Sequence, residues 1–132
     1  MTTQRKSPST KRATATGASL KLAKSIAEFA NNKKAFDIKI LDMRKVANFC
    51  DFFVLSSGTS TRQVKAIAEG IVEGVEQSGT RVRFKQGVLE GHWALIDLGT
   101  VVAHVFDQAS REFYSLDYLW QEAKQVSIDL KN

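Results

Sequence analysis

Few residues of this sequence are of the types that bind metals or attack substrates. The chain contains two histidines, His92 and His104, and one cysteine, Cys50. Zinc sites combine several His and Cys ligands at short spacings, and no such spacing occurs here. Cys50 has no neighbouring base in the sequence, which favours a buried apolar role over a nucleophilic one. The sequence therefore predicts no metal site and no cysteine-based active site.

A short Ser/Gly-rich segment, residues 56–60, is where phosphate chemistry could occur. It lies between a predicted strand and a predicted helix, as phosphate-binding loops do, but it lacks the Gly-x-x-x-x-Gly-Lys spacing. A metal-dependent nucleotidyltransferase would also place two carboxylates one residue apart on a strand to hold Mg²⁺. Asp37, Asp42 and Asp51 are instead 5 and 9 residues apart. A helix-capping role for the segment is favoured, and an enzyme of this class remains an alternative.

The elements that position any site are best defined around a predicted hairpin. Two β-rich runs, residues 93–98 and 101–106, are separated by Gly99-Thr100. A Gly-X pair between such runs is typical of a type II′ turn, because glycine adopts a positive φ without strain. This turn predicts that Asp97 faces Val102 and that Trp93 faces Phe106.

Side chains alternate along strands, so the hairpin has an aliphatic face and a mixed face. The aliphatic face comprises Ala94, Ile96, Leu98, Val101, Ala103 and Val105. It is suited to helices packing on it. The mixed face comprises Trp93, Leu95, Asp97, Val102, His104 and Phe106.

The mixed face would bury two polar groups, Asp97 and His104, if it were a dry core. We therefore interpret it as a partly open platform for a binding partner. The alternative is that another segment, such as the one that holds Trp120, covers it. The sequence leaves both interpretations open.

Composition indicates one α/β domain with a basic N-terminal segment. Positions 1–27 contain six Lys and Arg residues and no acidic residue, which gives this segment a charge of +6. Because the net charge of the whole chain is +5, the remaining residues carry a net charge of −1. No apolar run approaches the roughly 20 residues of a membrane span, and no secretory signal is recognisable. The single cysteine excludes an internal disulfide and fits a reducing compartment.

Three parts are predicted along the chain: a basic tail of residues 1–17, a domain of residues 18–126, and a C-terminal tail of residues 127–132. The basic tail is predicted to be disordered, because it has almost no large apolar residue. It could contact ribosomal RNA weakly through its charge. Its composition also fits an organellar transit peptide, so the expected location is cytoplasmic, or organellar if the tail is such a peptide.

The domain is predicted to have the order α-β-β-α-β-β-β-α, which implies a mixed sheet of about five strands with flanking helices. The first helix is expected over residues 18–32. A nearly continuous apolar run, residues 51–57, is typical of a central strand buried on both faces. Residues 80–85 are predicted to form an edge strand, and a closing helix is expected from Leu116 onward.

Several blocks, in this order, resemble the ribosomal silencing factor (RsfS/Iojap) family. The resemblance runs from about Leu20 to Trp120. The blocks that carry it are Asp51-Phe52-Phe53-Val54, Ser57-Gly58-Thr59-Ser60-x-Arg62-Gln63-Val64, Trp93-Ala94-Leu95-Ile96-Asp97-Leu98-Gly99, Val101-Val102-Ala103-His104-Val105-Phe106 and Arg111-x-Phe113-Tyr114.

The resemblance implies a fold similar to nucleotidyltransferases but without their metal-binding acids, and a function that needs no cofactor and no catalysis. It implies binding to the large ribosomal subunit through its protein L-fourteen, which blocks association with the small subunit and represses translation, notably in starvation. A homodimer of the free protein is left open. Two departures from the family pattern are Thr100, where an acid is usual, and Gln86, where Glu is common.

The expected binding residues combine two sources. In the family, the positions matching Trp93, Asp97, Leu98 and Gly99 fall in the block associated with the ribosomal-protein contact. The mixed face derived from the hairpin geometry adds the remaining positions. The expected set is Trp93, Leu95, Asp97, Leu98, Gly99, Val102, His104 and Phe106.

Overall fold

A computed structural model describes residues 8–130, with side chains from Gly17 onward. The described chain is a mixed sheet with helices, so the predicted fold class is confirmed. The predicted order of elements is found with two additions: a short helix before the closing helix that begins at Leu116, and a short strand after it. The elements are α1 (Pro8–Asn32), β1 (Phe36–Asp42), β2 (Phe52–Gly58), α2 (Thr61–Gln77), β3 (Phe84–Gln86), β4 (Trp93–Asp97), β5 (Val101–Asp107), α3 (Gln108–Tyr114), α4 (Leu116–Leu119) and β6 (Lys124–Val126).

The sheet has six strands in the order β3-β4-β5-β2-β1-β6, one more than predicted. Its central pair, β2 and β5, is parallel, and the other four pairs are antiparallel. All seven residues of β2 are buried, which confirms the prediction of a central strand covered on both faces. Both edge strands, β3 and β6, contain only three residues. Edges this short offer few free backbone groups to other chains.

The C-terminal segment is part of the packed domain as far as the structure describes it. Val126 pairs with Ile40 of β1, and Ile128 and Leu130 pack against the main core. The alternating apolar pattern of Val126, Ile128 and Leu130 turns one side of this segment toward the core. The predicted division at residue 127 stays a prediction, and residues 131–132 lie outside the described residues.

Helix α1 begins at Pro8, whereas the predicted helix begins at Ala18. The backbone of residues 8–17, assigned to the basic tail, is thus helical, and residues 1–7 lie outside the described residues. Proline is tolerated in the first turn of a helix, and Ala, Lys and Arg favour helix. Extending a helix also needs no new nucleus, so continuing α1 toward the N-terminus costs less than starting a separate helix. The division at residue 17 stays a prediction.

The main core lies between the aliphatic face and the two long helices. Helix α1 contributes Ala23, Ile26, Ala27 and Ala30, and α2 contributes Val64, Ile67, Ala68, Ile71 and Val75. Their spacing of three and four residues places them on one side of each helix. Small alanines on α1 let the helix approach the sheet closely, so this layer accounts for most of the buried apolar surface.

The contact between α1 and α2 predicts opposite effects for two glycines of α2. A Cβ at position 74 would lie 2.7 Å from ring atoms of Phe29, whereas a Cβ at position 70 would meet the flexible side chain of Lys33. We expect Gly74→Ala to lower the free energy of unfolding by about 1 kcal/mol, because overpacking of about 1–3 kcal/mol outweighs the gain in helix propensity. Urea unfolding followed by circular dichroism measures this change.

Gly70→Ala is the matched control, one turn away on the same helix. Here the lysine can move aside, so the better helix propensity of alanine should raise the free energy of unfolding by up to about 1 kcal/mol. Equal effects of the two substitutions would contradict a close contact between Gly74 and Phe29.

Candidate functional site

The β4–β5 hairpin has the register that the sequence predicts. Trp93 pairs with Phe106 and Asp97 pairs with Val102. Gly99 has a φ of 91°, and the Leu98 N–H donates to the carbonyl of Val101 at 2.9 Å. Asp97 reinforces the turn, because its Oδ1 accepts from the Gly99 N–H at 2.8 Å. This turn sets which side chains appear on the mixed face.

The mixed face is covered over β5 and half-open over β4. The β5 residues Val102, His104 and Phe106 are buried, whereas Trp93 and Leu95 of β4 are only half-buried. A second apolar cluster covers the β5 side; it is Leu41, Met43, Cys50, Phe53, Leu55, Val102, Phe106 and Leu116. The two interpretations left open by the sequence thus apply to different strands.

Trp120 covers the β2 side of this face and not the β4 side. Its ring lies 6.0 Å from Phe53 and 6.2 Å from Phe49, both near edge-to-face. It therefore anchors the segment after α4 to the second cluster. The surface over β4 is left to a different set of neighbours.

The exposed surface around β4, which we call the open strip, consists of Phe84, Trp93, Leu95, Asp97 and Tyr114. Phe84 pairs with Asp97 across β3 and β4, so it lies on the mixed face, and it is 53% exposed. Tyr114 of α3 packs on Trp93 with 4.5 Å between ring centroids. A groove runs along this strip; it is lined by Gln86, Gly87, Glu90, His92, Trp93, Leu95 and Tyr114.

Two residues of the open strip, Phe84 and Tyr114, were not predicted as site residues. The predicted strand over residues 80–85 is displaced: β3 spans only Phe84–Gln86, and Val82 packs against the main core while Phe84 lies exposed on the mixed face. Tyr114 reaches the strip only because α3 folds back over the end of β5. The signal for Tyr114 was its place in the Arg111-x-Phe113-Tyr114 block.

Four of the eight expected binding residues are buried and can act only from beneath the surface. Val102, His104 and Phe106 lie under the second cluster. Leu98 belongs to the main core on the opposite face, as its position in the alternation requires. The other four, Trp93, Leu95, Asp97 and Gly99, are partly exposed.

The indole of Trp93 is held from three sides. Its Nε1–H donates to Nδ1 of His104 at 3.1 Å, and its ring lies 5.1 Å from Phe106 in addition to the Tyr114 contact. Burial lowers the pKa of His104 to about 3, so its imidazole is neutral at ordinary pH. Both polar groups of the mixed face thus have a partner: Asp97 at the turn and His104 at the indole.

A buried ion network attaches α3 and α4 to the sheet and so holds Tyr114 in place. Arg111 donates to Oγ of Ser57 at 2.7 Å and, through Nε and Nη2, to Asp117 at 2.8 and 3.0 Å. Lys39 donates to the same carboxylate at 2.9 Å. Hydrogen bonds from Arg111, then from Lys39, hold the pKa of Asp117 well below its ordinary value against the opposing effect of burial.

The Ser/Gly turn before α2 is hydrogen-bonded by side chains of the protein itself. Ser60 is the N-cap, and its Oγ accepts from the Gln63 N–H at 3.1 Å, which confirms the capping role. Oε1 of Gln63 accepts from both N–H and Oγ1–H of Thr59, and its Nε2 donates to the carbonyls of Lys33 and Lys34. The contacts of Gln63 with Lys33 and Lys34 join residues that are 30 and 29 positions apart in the chain, and they were not predicted.

The remaining candidate residues, Cys50, His92 and Asp42, are buried or paired within the fold. Cys50 is a buried free thiol, and burial raises its pKa to about 12. His92 pairs with Asp107 through Nδ1 at 2.7 Å. Asp42 accepts from the Arg44 backbone N–H at 3.1 Å. Within residues 8–130, no group of three or more His, Cys, Asp or Glu residues could hold a metal ion, and no helix is long and apolar enough to cross a membrane.

The fold and the site together define a small α/β protein in which one face of the sheet is aromatic and half-open. At the turn before α2, where a phosphate could bind, the protein's own side chains form the hydrogen bonds. The chain belongs to the ribosomal silencing factor family. The family model described as "Ribosomal silencing factor during starvation" matches residues 16–132. The family is named for a regulatory role in translation.

Relatives and solved structures agree with this assignment. The chain is 37% identical to the ribosomal silencing factor RsfS of Bacillus subtilis over 82% of this chain and 92% of that protein. It is 30% identical to the chloroplastic protein Iojap of Arabidopsis thaliana over 86% of this chain and 48% of that protein. A crystal structure from Chromobacterium violaceum has a TM-score of 0.76 at 29% identity, covering 85% of this chain and 92% of that chain.

The network at Asp117 predicts a pH-dependent contribution to stability. Because its pKa is lowered in the folded protein, the stabilisation is complete above the ordinary carboxyl pKa of about 4 and is lost as pH falls below it. We expect Asp117→Asn to lower the free energy of unfolding by about 1–2 kcal/mol at pH 7. The effect should be smaller at pH 3, which urea unfolding at the two pH values measures.

Glu112→Gln is the control for the loss of one carboxylate in the same region, because Glu112, on the preceding helix α3, is exposed. It should leave stability within about 0.5 kcal/mol at either pH. An Asp117→Asn effect that is equal at pH 7 and pH 3 would contradict the ion-pair assignment.

Proposed function

We propose that this protein binds the large ribosomal subunit through ribosomal protein L-fourteen and thereby blocks association with the small subunit. The observation that carries the proposal is the open strip, an aromatic and aliphatic surface centred on Trp93 and left uncovered by the protein's own fold. The family's expected contact block and this strip coincide at Trp93 and Asp97. Repression of translation, notably in starvation, follows from the blocked association.

The composition of the open strip suits a protein partner. Interfaces commonly place a few aromatic anchors at the centre and polar groups at the rim. Here Trp93 is central and half-buried, while Gln86, Glu90 and His92 line the edge of the groove. Trp93 is also pre-ordered by its hydrogen bond, so little side-chain freedom is lost on binding. Such a strip favours recognition of a folded protein surface.

The opposite side of the sheet supplies the steric block. Helices α1 and α2 lie behind the sheet, on the aliphatic face. A sheet and its helix layer extend roughly 20 Å from the bound surface. A body of this thickness on a subunit surface would exclude an incoming subunit without any catalytic step or cofactor. The proposed mechanism is therefore occlusion.

The protein must act in the same cellular compartment as the ribosome that it binds. We expect a cytoplasmic protein, or an organellar one if residues 1–17 act as a transit peptide. Two relatives, the Iojap proteins of Arabidopsis thaliana and Zea mays, are chloroplastic. The binding mechanism proposed here is the same in either compartment.

Replacing the central aromatic tests the proposal most directly. We expect Trp93→Ala to weaken binding to purified large subunits by about 30-fold or more, because a central aromatic anchor typically contributes about 2 kcal/mol or more. Co-sedimentation with separated subunits on sucrose gradients measures the affinity. Light scattering during subunit joining should show that the variant no longer prevents association.

Tyr118→Ala is the matched control, because Tyr118 is 71% exposed and lies beside Asp37 and Lys39, near strand β1, which is three strands away from β4. It should bind and block like the unchanged protein. Normal binding by a folded Trp93→Ala variant would contradict the assignment of the open strip as the site.

The basic segment provides the alternative in which ribosomal RNA is the main contact. We expect replacement of Arg5, Lys6, Lys11 and Arg12 by Gln to reduce the salt dependence of binding and to slow association, with the affinity at physiological salt changed by less than about tenfold. Surface plasmon resonance at several salt concentrations separates the two effects.

Loss of all large-subunit binding in the four-Gln variant would favour the RNA-binding alternative. A saturable, Mg²⁺-dependent binding of nucleoside triphosphate in calorimetry would instead revive the nucleotidyltransferase alternative. Sedimentation equilibrium of the free protein measures whether it forms a homodimer.

A further inference from the structure

We propose that His104 is a positioning residue of the binding site: its buried imidazole holds the indole of Trp93 in the orientation that the partner recognises. The inference rests on the proposed function, since it concerns the same surface. It assigns to His104 a role that direct contact cannot supply, because only 4% of the residue is exposed.

The hydrogen bond between the two rings determines the tautomer of His104. An indole N–H can only donate. Nδ1 of His104, 3.1 Å from Nε1 of Trp93, must therefore be the acceptor. A neutral imidazole then carries its proton on Nε2. The bond has one possible direction, and it requires His104 to be neutral.

The surroundings of the other ring nitrogen, Nε2, show that packing alone does not account for a histidine at position 104. Nε2 is buried and has no hydrogen-bond partner among the described residues. Its surroundings are apolar: the ring of Phe53 lies 4.5 Å away, and Leu55 is the cross-strand neighbour on β2. A buried N–H without a partner costs stability, and an apolar side chain of similar size would avoid this cost. What the histidine adds at this position is the acceptor for Trp93.

The indole needs such an acceptor because it has a free side. Phe106 and Tyr114 contact its ring, but Trp93 is half-exposed on the open strip. The second side-chain torsion of tryptophan is soft, so ring contacts alone leave several orientations available. A directional hydrogen bond from beneath selects one of them before the partner arrives. The ordering cost is then absent from the binding step.

The first part of the test examines the free protein. Nitrogen-15 NMR should show the Nε2–H tautomer of His104 and a Trp93 indole N–H that is protected from exchange with solvent. Trp120→Phe assigns the two indole signals, and His104→Leu should remove the protection of Trp93 alone. A rapidly exchanging Trp93 N–H in the unchanged protein, or the opposite tautomer, overturns the proposal without reference to any partner.

The second part measures stability and affinity together in His104→Leu and His104→Asn. Leucine removes both the acceptor and the unpartnered N–H, so we expect an unchanged or higher Tm with about fivefold weaker binding to large subunits. Asparagine can place its Oδ1 near the position of Nδ1, and should recover most of the lost affinity. A merely structural histidine would lose stability and affinity together in both variants, and that result overturns the proposal.

Trp93→Phe tests the bond from its other end. It retains an aromatic ring and removes the donor without altering the buried site. Its affinity loss should not increase further when His104→Leu is added, because the shared hydrogen bond is already absent. Additive losses in the double variant overturn the proposal.

Failure of the two proposals gives different results. If Trp93→Ala weakens binding but His104→Leu does not, the open strip stands and the positioning role falls. If Trp93→Ala binds normally, the proposed site falls, and with it the role of His104 in binding. The NMR experiment still reports whether the hydrogen bond exists.

Discussion

The register of the β4–β5 hairpin is the constraint on which both faces of the sheet depend. Gly99 supplies the positive φ of the turn, and Asp97 accepts a hydrogen bond from its N–H. A slip of one residue would move every side chain of a strand to the opposite face. Trp93 and His104 would then point into the helix layer, and the small aliphatic residues would lie on the surface. The turn therefore determines both the core and the open strip.

The two faces divide stability and recognition between them. The aliphatic face meets α1 and α2 in a continuous core that needs no polar group. The second cluster on the mixed face is smaller; its buried members reach as far as β5, and Trp93 and Leu95 of β4 pack against it while only partly buried. A sheet that is well packed on one side can leave part of its other side open, since the first layer supplies most of the buried area. The open strip is the part of the sheet that folding does not require to be covered.

Local sequence signals predicted the elements that depend on local physics. The Gly-X turn gave the hairpin register, the apolar run gave the buried β2, and the stripe beginning at Val64 gave α2. Strands of three residues, such as β3 and β6, were missed or displaced, because they exist only through pairing with distant neighbours. The start of α1 was missed because continuing a helix costs less than starting a separate one.

The candidate site was predictable in part for the same reason. Alternation placed Trp93 and His104 on one face, but it could not show that β5 is covered and β4 is open. That coverage depends on long-range contacts such as Arg111 to Ser57, 54 residues apart in the chain. Neither Tyr114 nor Phe84 has a local pattern that marks it as exposed beside Trp93. The division between contacting and supporting residues is a tertiary property.

The turn before α2 shows how a scaffold suited to phosphate binding is used for structure instead. Backbone N–H groups at a helix N-terminus bind phosphate when they are free. Here the Gln63 side chain accepts from Thr59, and Ser60 accepts from the Gln63 N–H. Nε2 of Gln63 also connects the turn to the carbonyls that follow α1. Because the same amide links three segments, a ligand there would compete with the fold itself, whereas a partner at the open strip displaces only solvent. Recognition on the sheet therefore leaves the folded core unchanged, whereas a phosphate bound at Thr59 or Gln63 would have to displace these hydrogen bonds.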